Sequence, residues 1–93
     1  MKPYYEHTGI TIYNGDWREV SAGLDFDTII ADPPYGKMLD YKNGVPDTRE
    51  TLVENCEAMV DIGKPLVYSI PQTRMFDVPK PQWVGVWYKP MSM

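Results

Sequence analysis

Thr28-Ile29-Ile30-Ala31-Asp32-Pro33-Pro34-Tyr35 is the stretch around which the rest of the chain is read: a short β-branched run that halts at two prolines. The run predicts a strand, because β-branched side chains suit a pleated surface, and proline ends it by removing a ladder donor. Asp32 to Tyr35 then falls at the carboxyl end of that strand, where open α/β sheets bind their ligands. The letters are also uncommon. With proline at about 5 % usage, an Asp/Asn/Ser-Pro-Pro-aromatic string is expected by chance only on the order of a few times per thousand chains of this length.

Working outward, Asp47 followed by Glu50 predicts a capping-box-like helix start, since a carboxylate can accept the free amides of a first turn. Leu52, Val53, Cys56, Met59 and Val60 keep helical spacing, and Gly63 suits a stop, so a helix from about Thr48 to Ile62 is predicted. It leads into a further strand, Leu66 to Ile70, ended by Pro71. Strand, helix, strand is a crossover that favours a parallel pair. Upstream, Ile10 to Tyr13 predicts a strand closed by Asn14-Gly15, and a short helix from Trp17 to Ala22 links it to the second. Trp83 to Tyr88 predicts a last strand, stopped by Pro90, with Trp83 and Trp87 on one core-facing side. The near-continuous apolar character of these runs suits a sheet covered on both faces. The expectation is one α/β domain over residues 1–93, a sheet of about four mostly parallel strands with flanking helices.

Composition narrows the classes. The chain is 43 % hydrophobic and 24 % charged, which argues against disorder. Its net charge of -4 lacks the basic excess that phosphate-neutralising proteins usually carry, so any nucleic-acid contact needs a local patch or a partner. Cys56 is the only cysteine, which rules out an intrachain disulfide and fits a reducing cytoplasm. No stretch approaches the apolar length of a membrane span, and the N-terminus lacks an apolar core like that of a signal peptide, so a cytoplasmic chain without membrane contact is expected. His7 has no second ligand candidate and reads as solvated surface, giving no metal site.

The chemistry that suits Asp32 to Tyr35 concerns an aromatic amine. The lone pair of such an amine is delocalised into its ring and attacks an electrophile poorly. A carboxylate such as Asp32, with a backbone carbonyl held by Pro33 and Pro34, can accept both amine hydrogens and favour a pyramidal nitrogen. Tyr35 can stack on a base taken out of a duplex, and Gly36 permits close backbone approach.

Asp32-Pro33-Pro34-Tyr35 after an apolar strand resembles the catalytic motif of the amino-group DNA methyltransferases, in the form most often found in those that modify adenine. Ile12-Tyr13-Asn14-Gly15-Asp16, followed by Trp17 to Val20, is similar to the strand-Gly-Asp opening of the permuted group of that family. The resemblance implies a partial Rossmann-like methyltransferase sheet, DNA as partner, S-adenosylmethionine as cofactor, Asp32, Pro33, Pro34 and Tyr35 as catalytic residues, and Asp16 beside the cofactor's adenosine. It covers most of the chain, and DNA methylation in a restriction-modification setting is the function it implies.

The sequence departs from the family in two respects: no separate target-recognition region remains, and the aromatic-x-Gly-x-Gly turn that holds the methionine part of the cofactor is absent. In the permuted group it would fall beyond Met93, so the resemblance implies a truncated catalytic part with an incomplete cofactor site. Alternatives stay open. Asp32 to Tyr35 can be a rigid turn, and Asp16 can simply cap the helix at Trp17. Ser69, Gln72 and Thr73 can edge a base pocket or be ordinary loop polarity. The whole chain can be a non-catalytic remnant or interaction module of phage or restriction-modification origin. In that case its strand edges would pair with a second copy or a complementing subunit. Methylation of RNA or of a protein amide is a further reading, disfavoured because those enzymes usually place the cofactor half first.

Overall fold

The computed structural model of the protein describes residues 2–42 and 44–88. The elements run β1 (Tyr5–His7), β2 (Ile10–Ile12), α1 (Trp17–Ala22), β3 (Ile29–Ala31), α2 (Arg49–Asp61), β4 (Leu66–Tyr68), then a 3-10 turn over Gln72–Arg74. They form two separate two-stranded sheets, β1 with β2 antiparallel and β3 with β4 parallel.

The expected four-stranded, mostly parallel Rossmann-like sheet is therefore not what the described residues form, and three features overturn it. First, Ile10–Ile12 does not join β3. It folds back on Tyr5–His7 through Thr8-Gly9, pairing Tyr5 with Ile12 and His7 with Ile10. Gly9 sits at φ +76, a left-handed conformation that glycine adopts without a Cβ clash, and this lets a two-residue connection close the hairpin. Tyr5 opens the hairpin, and its ring stacks against that of His7 with centroids 6.4 Å apart. Second, Trp83–Tyr88 forms no strand, and Trp83, Val86 and Trp87 are exposed. Alternating apolar residues make a strand only where a neighbouring edge supplies hydrogen bonds, and among the described residues β3 and β4 pair with each other alone. Pro90, expected to end that strand, lies outside the described residues. Third, the β3–β4 pair is covered on one face, not two. Ile30 and Val67 are register partners on the outer face and are 83 % and 64 % exposed.

The crossover itself forms as its residues dictate. α2 presents Leu52, Cys56 and Met59, spaced at four and three residues, along one stripe. These are buried against Ile29 and Ala31 of β3 and Leu66 and Tyr68 of β4, the inward members of each strand's alternation. Full burial of a side chain such as Leu52 stabilises by about 1.5–3 kcal/mol. α1 docks through a polar link: the Trp17 indole and the Arg18 guanidinium both donate to the buried Asn55 side chain, at 3.2 and 2.8 Å. Arg18 also lies 4.8 Å from the Trp17 ring centroid. α2 ends at Ile62, with Gly63 at φ +80 beyond it.

The start of α2 corrects a second expectation. Thr48, not Asp47, is the N-cap, and its hydroxyl accepts the amide of Thr51 at 3.1 Å. Asp47 is buried and serves a different segment. Among the described residues no helix is long and apolar enough to cross a membrane.

Candidate functional site

β3 and β4 run in the same direction, with Ala31 opposite Tyr68, so the residues just beyond them, Asp32 and Ser69, emerge side by side. The Ser69 amide extends the ladder by donating to the Ala31 carbonyl at 3.1 Å. At this carboxyl end the Ser69 hydroxyl donates to Asp32 Oδ1 at 2.7 Å. The Tyr35 hydroxyl donates to the same oxygen at 2.6 Å and lies 2.9 Å from Ser69 Oγ. The carboxylate bond is the chief reason why the Tyr35 phenol is held above its ordinary pKa; the Ser69 bond acts in the opposite sense. Pro33 and Pro34 are half-buried and join the two acidic-site residues. Lys37 places its ammonium 5.8 Å from the Tyr35 ring centroid, a cation beside the aromatic face.

Behind this cluster, the Asp47 carboxylate holds the next part of the loop. Oδ1 accepts the Gly36 amide at 2.9 Å, and Oδ2 accepts those of Lys37 at 3.2 Å and Leu39 at 2.8 Å. The Asp47 carbonyl takes the Met38 amide at 2.8 Å. The Leu39 bond is the largest of the causes that hold the Asp47 carboxyl below its ordinary pKa, with those of Gly36 and Lys37 adding to it and burial opposing them. From the other side Arg74 donates to the Gly36 carbonyl at 2.8 Å, and its guanidinium also pairs with Asp77. Gly36 has φ +76, and a Cβ there would lie 3.0 Å from the Arg49 amide nitrogen, so a larger residue would be both strained and crowded against the start of α2. The acidic segment is thus fixed at both ends, by the β3–β4 ladder before it and by Asp47 with Arg74 after it.

Of the sequence-derived candidates, the structure brings Asp32 and Tyr35 together and adds Ser69. Gln72 and Thr73 lie exposed in the 3-10 turn. Asp16 stands at the head of α1. Its carboxylate accepts the Arg18 amide at 2.9 Å as the N-cap of α1, with the Arg18 guanidinium 4.0 Å away. A shallow depression of about 440 Å³ lies beside α1, lined by Trp17, Phe26, Ala58 and Ile62 among others, but not by Asp16 or by Asp32 to Tyr35.

Among the described residues no shared sheet brings Asp16 toward the Asp32 cluster. The strand meant to deliver Asp16 to the cofactor belongs to the separate hairpin, and its carboxylate is used in capping. The cofactor position and the target-amine position that the resemblance implies therefore share no sheet edge. Asp47 and Arg74 were missed as site residues. A cue was present for the former, since an acidic residue directly before a capping threonine is free to serve a neighbouring loop. No local pattern announces Arg74.

No protein family, no curated protein and no solved structure matches this chain.

Proposed function

We propose that the carboxyl end of the β3–β4 pair is the target-amine site of a DNA adenine methyltransferase-like domain, dependent on S-adenosylmethionine when completed by a donor-binding part. The observation that supports it is the placement of Asp32 beyond a parallel strand pair with its carboxylate held by two hydroxyls, because this fixes an acceptor where an aromatic amine can be presented. Asp32 accepts a hydrogen from the exocyclic amine, Pro33 and Pro34 keep the adjoining carbonyls in place, and the Tyr35 ring is the stacking platform. Lys37 supplies local positive charge for a phosphate on an otherwise acidic chain. An unstacked adenine is the ligand, since the amine is out of reach inside a duplex.

The test compares two single-stranded thymine oligonucleotides, one carrying a single adenine and the other purine, which lacks the amine, at low salt. Preferential binding of the adenine strand, abolished in Asp32→Ala, is expected; equal affinity for both strands would refute the reading.

A second reading, a non-catalytic interaction module that pairs with another copy or a complementing subunit, is favoured by the exposed Ile30 and Val67. Sedimentation decides it: a chain that stays monomeric at high concentration, with an intact fold, rejects self-pairing.

A further inference from the structure

The hydroxyl hydrogens around Asp32 are too few for the approaches they make. Three oxygens lie mutually within hydrogen-bond distance: Asp32 Oδ1, Tyr35 Oη and Ser69 Oγ, at 2.6, 2.7 and 2.9 Å. Each hydroxyl has one hydrogen to donate, and an ionised carboxylate has none. When both hydroxyls donate to Asp32, the approach of Tyr35 to Ser69 carries no hydrogen. A second pattern is therefore close at hand. Tyr35 turns its hydrogen to Ser69 Oγ, Ser69 continues to donate to Asp32, and Oδ1 accepts a hydrogen from a newcomer in place of the one from Tyr35. The change needs rotation about one C–O bond and a small tilt of the phenol. Ser69 is well placed to receive it, because its own backbone is fixed by the bond to Ala31.

We propose that Ser69 is a positioning residue that takes over the Tyr35 hydroxyl when an amino-bearing base donates to Asp32, so that ligand entry leaves no hydroxyl unpaired. The proposal rests on the target-amine reading above and adds a selectivity rule to it. A base with an exocyclic amine displaces Tyr35 from Asp32; a base without one leaves the resting triangle intact. The cluster is exposed in the free chain; beneath a bound base that displaces water, an unpaired hydroxyl is costly, and the exchange avoids it.

The experiment is a double-mutant cycle on the full chain, with the adenine and purine oligonucleotides as probes. Ser69→Ala is expected to weaken adenine-strand binding by about three- to tenfold and to leave purine-strand binding unchanged. Ser69→Thr, which keeps a hydroxyl, is expected to retain most of the affinity. In a Tyr35→Phe background, which preserves the ring but removes the displaced hydroxyl, the Ser69→Ala penalty is expected to shrink to the part due to the Ser69–Asp32 bond. A spectroscopic readout accompanies the cycle: the Tyr35 ring carbon bearing the hydroxyl should shift on adding the adenine strand and stay put with the purine strand. An equal Ser69→Ala penalty in both backgrounds would show that Ser69 only orients Asp32, and no penalty in either would show that it is a bystander; both overturn the proposal while leaving the target-amine reading standing. Failure of the unaltered chain to distinguish the strands removes that reading and this one with it.

Discussion

The Asp47 carboxylate accepts the Gly36 amide at 2.9 Å from a buried position at the head of α2, and so ties the loop after Tyr35 to the helix that covers the sheet. The same carboxylate takes the Lys37 and Leu39 amides, which makes it the anchor of residues 36–39.

Asp47→Ala should free those amides. Amide hydrogen exchange at Gly36, Lys37 and Leu39 is expected to accelerate by at least about tenfold, the equivalent of a single lost hydrogen bond to a charged group. The Leu52 and Cys56 amides should change far less.

Acid should act on the same contact. The folded Asp47 carboxyl has a lowered pKa, chiefly through the Leu39 amide, so the unfolded chain binds its proton first as pH falls. The stabilisation is complete above the ordinary value of 3.8 and is lost as pH drops below it through the folded value. Urea midpoints measured from pH 6 downward should fall in that window, and Asp47→Asn should remove this part of the dependence.

Tyr35 gives an alkaline counterpart with two signs. Its raised pKa is due first to the bond with Asp32, so Asp32→Ala should bring it back down toward 10.0, whereas loss of Ser69, whose bond lowers it, should push it further up. Because the folded value lies above the unfolded one, this contribution to stability is complete below pH 10.0 and is lost as pH rises through the folded value. Carbon NMR of labelled tyrosine, with Tyr35→Phe to assign the signal among the seven tyrosines, reads both shifts.

Gly36→Ala confronts a left-handed φ of +76 and an Arg49 backbone 3.0 Å from the new carbon. The conformational part alone costs about 1–2 kcal/mol, and the close approach adds to it. Urea unfolding should show the loss, with the Asp32–Ser69 contact displaced in the same variant.

The core is also testable through its thiol. Cys56 is fully buried, and burial pushes its pKa up to about 11. Alkylation at neutral pH should therefore be slow in the folded chain and fast in denaturant. Leu52→Ala, which opens a cavity beside it, should cost about 2–5 kcal/mol and accelerate labelling accordingly.

The local elements were legible because their determinants are local. The stripe Leu52, Cys56, Met59 and the stop at Gly63 announce α2, and Asp16 before Trp17 announces α1 as N-cap and first turn. The parallel pairing of β3 with β4 follows from the crossover between them. Strand partnership was not legible for Ile10–Ile12 or for Trp83–Tyr88. An apolar alternation states which side of a strand is greasy, not which neighbour it meets, and the glycine at position 9 decided the first case. At the site, Asp32 and Tyr35 stand in one motif, whereas Ser69, legible only as one of several polar residues that can edge a pocket, is joined to them by the register Ala31 to Tyr68. Asp47 looked like a cap because its position before a helix suits that role; Thr48 took the role and left the carboxylate for the loop.

The bond from Ser69 to Asp32 spans 37 positions of chain, with the whole of α2 in between. During synthesis the acidic motif leaves the ribosome long before its serine, so a nascent chain carries Asp32 and Tyr35 without the geometry that joins them to β4. Closing so long a loop is among the later and slower steps available to a small domain. The site is in this sense a timer on folding, present only once α2 has brought β4 alongside β3.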